Sequence, residues 1–425
     1  MKTLHQLDQH VTVAGEKRTD VLTLAGDNSS NLYIISAPGS YYLSGNVNGV
    51  ANKSGILIQS DYVSIDLNGF SVIGTGAPSV TSGISSTHSN IRIFDGYVIG
   101  WNGVGIAVGD NAIIDHITAN ANSSAISAGA NGVVSQCAVA GLGAGNGIAV
   151  TTNGVIAHCA ANSFSSGIVM QSNCEASHSI STNNSVAGFQ FGPGCVITDS
   201  TASLNTAGTQ STGFYGPGSF SSSISHCVAF QNNGPGIVVS AYCVISDSAV
   251  WFNSAGGIIG HASANTISRC VVNQNAFGSG NGITVSDASS VTDCIVAQNG
   301  TAGSAASGIS GTIRELISGC NVTDNRGDGI NVSGDSTIRD SKSSHNGARG
   351  IVTTGGGSRI DGNQVRDNTG IGVVVTGLDV VVRNTAGNNN GNNVNASQFS
   401  PATGTNVGLI QAANAVTSPA ANIVY

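Results

Sequence analysis

The chain has 425 residues, of which only 8% are charged against roughly 25% in an average protein, with 59 glycines and a formal net charge of -8. No Lys or Arg stands between Arg92 and Arg269, which excludes a nucleic-acid partner, because that affinity comes from neutralising phosphates. No run of about 18 apolar residues offers a membrane span, and MKTLHQLDQHVTVAG lacks the apolar stretch of a signal peptide, so the chain reads as intracellular unless a leader has been removed.

Residues 1 to 32 are expected to form an N-terminal cap, with LHQLDQHV (4 to 11) as a short amphipathic cover for the exposed strand edges of the first coil. From 33 to 390 one pattern repeats. A Gly-Ile-like start returns at Gly167, Gly188, Gly213, Gly236, Gly257 and Gly282, at intervals of 21, 25, 23, 21 and 25 residues, and the same marker can be followed from Gly55 to Gly372. Such a period means a solenoid. Within each unit short alternating apolar runs, such as Gly236-Ile237-Val238-Val239 and Cys243-Val244-Ile245, are separated by turn formers, which predicts three short strands per turn. Stacked in parallel about 4.8 Å apart, some fifteen turns make a rod roughly 70 Å long.

Three columns accompany the strands. Cys137, Cys159, Cys227, Cys270, Cys294 and Cys320 share one small-residue column with Ser179, Ser200, Ser248, Ser341 and Gly362, while Cys174, Cys195 and Cys243 form another. Replacement by Ser and Gly marks Cys as a compact packing residue, and nine thiols cannot pair fully. Five residues after the small column stands Asn, at Asn184, Asn205, Asn232, Asn253, Asn275, Asn299, Asn325, Asn346 and Asn389, read as a structural ladder that satisfies turn groups. Before the small column stand His116, Gln136, His158, His178, Asp199, His226, Asp247, Arg269, Asp293, Asp340, Asp361 and Arg383. His158, His178 and Asp199 have metal-ligand chemistry and His226 with Asp247 resembles an acid-base pair. The same residue types also favour bends with positive φ, and a stripe along a whole rod is unlike a site that occurs once, so the structural reading is preferred.

The strings APGSYYLSGN (37 to 46), GILI (55 to 58), VSIDLNGF (63 to 70), SRIDGNQVRDN (358 to 368) and VVVRNTAGN (380 to 388) resemble bacterial β-helix-repeat proteins of the pectate-lyase-like superfamily. The resemblance implies an all-β, single-stranded right-handed parallel β-helix and a loose association with polysaccharides, and with it an extracellular or cell-surface location. It brings no catalytic set. The aspartate pair and Gly-His-Gly of polygalacturonases are reduced to Gly260-His261-Ala262, and Tyr215-Gly216-Pro217-Gly218 lacks the Asp and His of the alginate epimerase string. The Arg base of pectate lyases has no counterpart in mid-rod.

Loop length varies almost entirely between the Asn ladder and the next Gly, being four residues from Asn253 to Gly257 but eight from Asn205 to Gly213. Insertions confined to one face mark a binding face. Its expected floor runs Ala149, Val169, Gln190, Tyr215, Val238, Ile259, Thr284, Ser310 and Asn331, with Gln171 and His261 farther along the strands and no carboxylate pair for glycoside hydrolysis. Phe230 and Trp251, three after the small column in adjacent turns, are expected to stack, by preference as a packed pair under a loop and otherwise as an outward-facing pair on which sugars or other proteins dock. Residues 391 to 425 are expected to be a polar linker and a cap folding back on the last turns. Two function classes follow. The first is a non-catalytic solenoid presenting an uncharged polar face to glycans, proteins or copies of itself. The second is a polysaccharide lyase or hydrolase using His261 and Tyr215, with Gln171, Gln190, Phe230 and Trp251 as further binding residues. Neither requires a cofactor or metal.

Overall fold

A computed structural model describes residues 17–424 apart from 28, 77–80, 209–210, 276–279, 392–397, 402–404, 409 and 413–417, so the expected cap at 4–11 lies outside the described residues. The turn beginning at Gly236 shows how the sequence makes the fold. Three strands, Ile237–Ala241, Val244–Ser246 and Ala249–Trp251, are joined by single left-handed residues, Tyr242, Asp247 and Phe252, with φ of 57°, 52° and 55°. A left-handed residue reverses the pleat and turns the chain through a corner, so the side chain after it points inward. Those next residues, Cys243, Ser248 and Asn253, are 1%, 2% and 0% exposed. The small and Asn columns of the sequence are the inner linings of the corners.

We call the three stacks sheets I, II and III in the order of those strands. Each strand pairs in parallel with its counterpart one turn on: Ile237 with Ile258, Val244 with Thr266, and Ala249 with Val271. Among the described residues sheet I contains seventeen strands, two more than the Gly-Ile markers suggest. The additional strands, Asn31–Ile35 and Phe399–Ser400, lie at the two ends and carry no such marker. With about 4.8 Å per step the rod is about 75 Å long. Its core is continuous and built from one inward column per sheet, mostly Ile and Val, with Ile237, Ile245 and Val250 fully buried, each contributing roughly 1.5–3 kcal/mol by leaving water. Phe189 and Phe214 stack within it at 4.9 Å. Near one end Thr19–Asp20 pairs with Gly39–Tyr42, and at the other Asn406–Val407 and Asn422–Val424 extend the stack against Val380–Val382 and Thr385–Gly387.

The Asn ladder is a continuous chain of amides. Asn232 donates its backbone N–H (3.1 Å) and its Nδ2 (2.8 Å) to Oδ1 of Asn253, and Nδ2 also reaches the Ala202 carbonyl at 3.0 Å. The chain runs through Asn368 to Asn389 and ends on Gln398, whose Oε1 accepts from Asn389 Nδ2 at 2.6 Å. Asn368 corrects the sequence register by one residue near the C-terminal end. Gly362 (φ 70°) is the bend there, not the small residue, and Asp361 belongs to the strand Arg359–Asp361. Gly satisfies either requirement, which is why the sequence pattern misplaces it. Asn363 takes the small position and starts a second ladder through Asn384 to Asn422. All nine cysteines are free and buried.

Candidate functional site

On the flank of sheet I, beside one long loop (Asn205 to Gly213) and three short ones, lies a groove of about 620 Å³ lined by Tyr215, Val238, Ile259 and His261, with Thr212 and Ser185 also in its wall. Tyr215, Val238 and Ile259 occupy successive turns of one outward column. The loops that wall it leave the Asn corner at Ser185, Gly208, Pro235 and Ala255. Among the described lining residues none is Asp, Glu, Lys or Arg, so the groove offers an aromatic and aliphatic floor with hydroxyl and imidazole edges.

The structure brings two of the six sequence-predicted residues, Tyr215 and His261, into this groove. Gln190 is beside Tyr215 in register, exposed, with Oε1 accepting from Ser166 Oγ at 3.0 Å. Gln171 shares the column of His261 but lies four turns away, a separation of about 19 Å. Phe230 and Trp251 stand in register on sheet III, a different flank. They do not form the expected stack. Among the described residues the ring contact of Phe230 is with Phe252, edge to face at 5.8 Å and 88°, because Phe252 sits at the corner and turns toward it, while Trp251 remains 40% exposed.

The column of His, Asp and Arg is the corner between sheets II and III. His158, His178, Asp199, His226, Asp247 and Arg269 all have φ between 49° and 55°, which is the backbone demand that selects them. His158 and His178 stack at 4.8 Å, and His178 Nε2 is 3.9 Å from Asp199. Among the described residues no group of three or more His, Cys, Asp or Glu is arranged to hold a metal. Asp247 does not form an acid-base pair with His226. Arg269 grips both its oxygens at 2.7 and 2.8 Å and holds the carboxyl down at about 2.

Two buried carboxylates, Glu315 and Asp379, stand in an inner corner column that elsewhere holds Ser, Cys or Asn, so the sequence pattern does not mark them. Glu315 lies inside the corner between sheets I and II, 2% exposed, accepting from the N–H groups of Ser289 (2.9 Å) and Thr312 (3.2 Å). Burial pushes it up to about 7 against the pull of those donors. Both its oxygens serve the corner, which makes it structural.

A model of the right handed beta helix region matches residues 192–315 and 311–407. No curated protein matches the chain. Among solved structures, the A-module of mannuronan C-5 epimerase AlgE4 from Azotobacter vinelandii is similar at 14% identity, with 84% of this chain and 96% of that one covered and a TM-score of 0.39. The periplasmic alginate epimerase AlgG is similar at 11% identity over 81% and 83% of the two chains, with a TM-score of 0.42. A tailspike mutant of E. coli bacteriophage HK620, in complex with a hexasaccharide, is similar at 11% identity over 84% and 78%, with a TM-score of 0.40.

Proposed function

Because the chain belongs to the right handed beta helix family, matched from residue 192 to 407, we propose that it is a non-catalytic solenoid that binds a neutral polysaccharide in the groove beside Tyr215 and His261. The observation that carries this reading is the groove's chemistry: Tyr215, Val238 and Ile259 make an apolar floor, flanked by Thr212, Ser185 and His261. A pyranose ring presents C–H faces and hydroxyl edges, and this floor and rim match both. A column built from one residue per turn suits a chain running along the rod. Such a ligand places the protein outside the cytoplasm, where extended polysaccharides are met. Among the described residues no helix is long and apolar enough to cross a membrane.

A second reading, turnover by Tyr215 and His261, draws on the presence of both in one groove. The two are separated by affinity electrophoresis through a panel of neutral polysaccharides, with the products assayed for new reducing ends and for the ultraviolet absorbance of unsaturated sugars. We expect retention without products, weakened about tenfold in Tyr215→Ala, the loss of one aromatic platform. Product formation that disappears in His261→Ala would replace binding with catalysis.

A further inference from the structure

A second concavity, about 580 Å³, runs along the other side of the same Asn corner, on the flank of sheet III. Its floor is the corner column itself: Phe252, Gln274, Gln298, Asp324 and His345, at φ of 55°, 52°, 53°, 58° and 54° in successive turns. With Thr369 one turn farther it covers five steps, about 24 Å along the axis. Phe252 stands at one end, with the Phe230 ring against it edge to face.

Arg326 lines this groove and differs from every other arginine. Arg18, Arg269, Arg314, Arg339, Arg349, Arg359, Arg366 and Arg383 are ion-paired, and Arg92 lies over the Phe94 ring. Arg326 has neither kind of partner among the described residues, although Asp324 lines the same groove. Asp324 in turn accepts from Thr323 Oγ1 through Oδ2 alone (2.9 Å). Two opposite charges that face one groove without pairing complement a ligand carrying both an anion and a hydrogen-bond donor. The anion is a carboxylate rather than a phosphate, because the guanidinium takes either in a fork but the nearby Asp324 penalises a dianion more. A peptide strand is disfavoured. The backbone N–H groups of Phe252, Gln274, Gln298, Asp324 and His345 all donate to the next turn, so no sheet edge is open for pairing. The chain's net charge of -8 does not oppose an anion here, since residues 314–383 carry eight Lys or Arg against eight Asp or Glu.

We propose that this axial groove is a second glycan site, independent of the first, for a linear chain whose sugars carry both a carboxylate and an N–H donor. Arg326 holds the carboxylate, Asp324 accepts the N–H, Gln274 and Gln298 meet hydroxyls, and Phe252 receives a terminal ring. The test uses the full chain with polysialic acid, which is linear, carboxylated and N-acetylated, by titration calorimetry. Binding should weaken at least tenfold in Arg326→Gln with Tm unchanged, and should vanish for the carboxyl-reduced polymer. No binding of polysialic acid, equal binding by Arg326→Gln, or equal competition by polyglutamate would each overturn the proposal, the last by showing that charge alone or a peptide fills the groove. Tyr215→Ala should leave polysialic acid binding intact and weaken only neutral retention, so the two sites fail separately.

Discussion

The turns from Ser166 to His261 and those from Asn299 to Asn384 share one interior and differ outside. Both are threaded by the same amide chain, Asn184 to Asn253 in the first and Asn299 to Asn368 in the second, with Ile and Val as the core beside it. Outward, the first region has no Lys or Arg and offers a neutral groove on sheet I, whereas the second alternates Arg with Asp and supplies the charged half, Asp324, Arg326 and His345, of a groove on sheet III that begins at Phe252. The lesson is a division of labour by column. Inner positions obey the stack and are interchangeable between turns, while outer positions are free to carry whatever a ligand needs.

The largest effect should come from breaking what the regions share. Asn253→Ala removes the acceptor for two donors of Asn232 in a fully buried corner, and should cost about 3 kcal/mol in denaturant unfolding. Asn325→Ala should cost the same, since Asn299 donates to it in the same way (3.1 and 2.9 Å). A large difference between these two would show that the interiors are not equivalent.

The next prediction sharpens the contrast through Glu315. Its folded value, about 7, lies above the ordinary 4.5, so its protonated form is favoured by folding. That contribution is complete below about 4.5 and is lost as pH rises through about 7. The stability of wild type relative to Glu315→Gln should therefore fall between pH 5 and 8, by on the order of 2 kcal/mol. A constant difference would mean that Glu315 does not titrate in this range. The smallest effect belongs to the outer charges. Arg269→Ala frees the half-buried Asp247 at the boundary between the regions, and because the pair lies at the surface Tm in physiological salt should not move measurably.

Most of the interior was legible from the sequence because a stack repeats one local demand per turn. Five-residue spacing from Cys243 to Ser248 to Asn253 encodes three corners before any coordinate is known. Register failed at Gly362, where one residue type suits both the left-handed bend and the small interior position. The neutral groove was legible through loop length and the column of Tyr215. The charged groove was not, because Phe252, Gln274, Gln298 and His345 stand in a corner column where each reads as a bend residue. Only placing Arg326 beside them, without an ion pair, reveals a shared concavity. Glu315 was illegible for the opposite reason, being a charged residue in a corner column that also holds Ser, Cys, Asn265 and Asp379.

The Asn ladder has a further consequence. Every amide-to-amide bond from Asn184 to Asn389 runs from the earlier turn to the later, ending on Gln398, while Nδ2 of Asn232, Asn253 and Asn275 also reaches back to a backbone carbonyl of the earlier turn. Aligned amides polarise one another, so the ladder is a vector and not merely a seam. The two ends of the ladder are therefore chemically unlike, opening at Asn184 with an acceptor filled by the backbone N–H of Phe164 and closing at Asn389 with a donor held by Gln398.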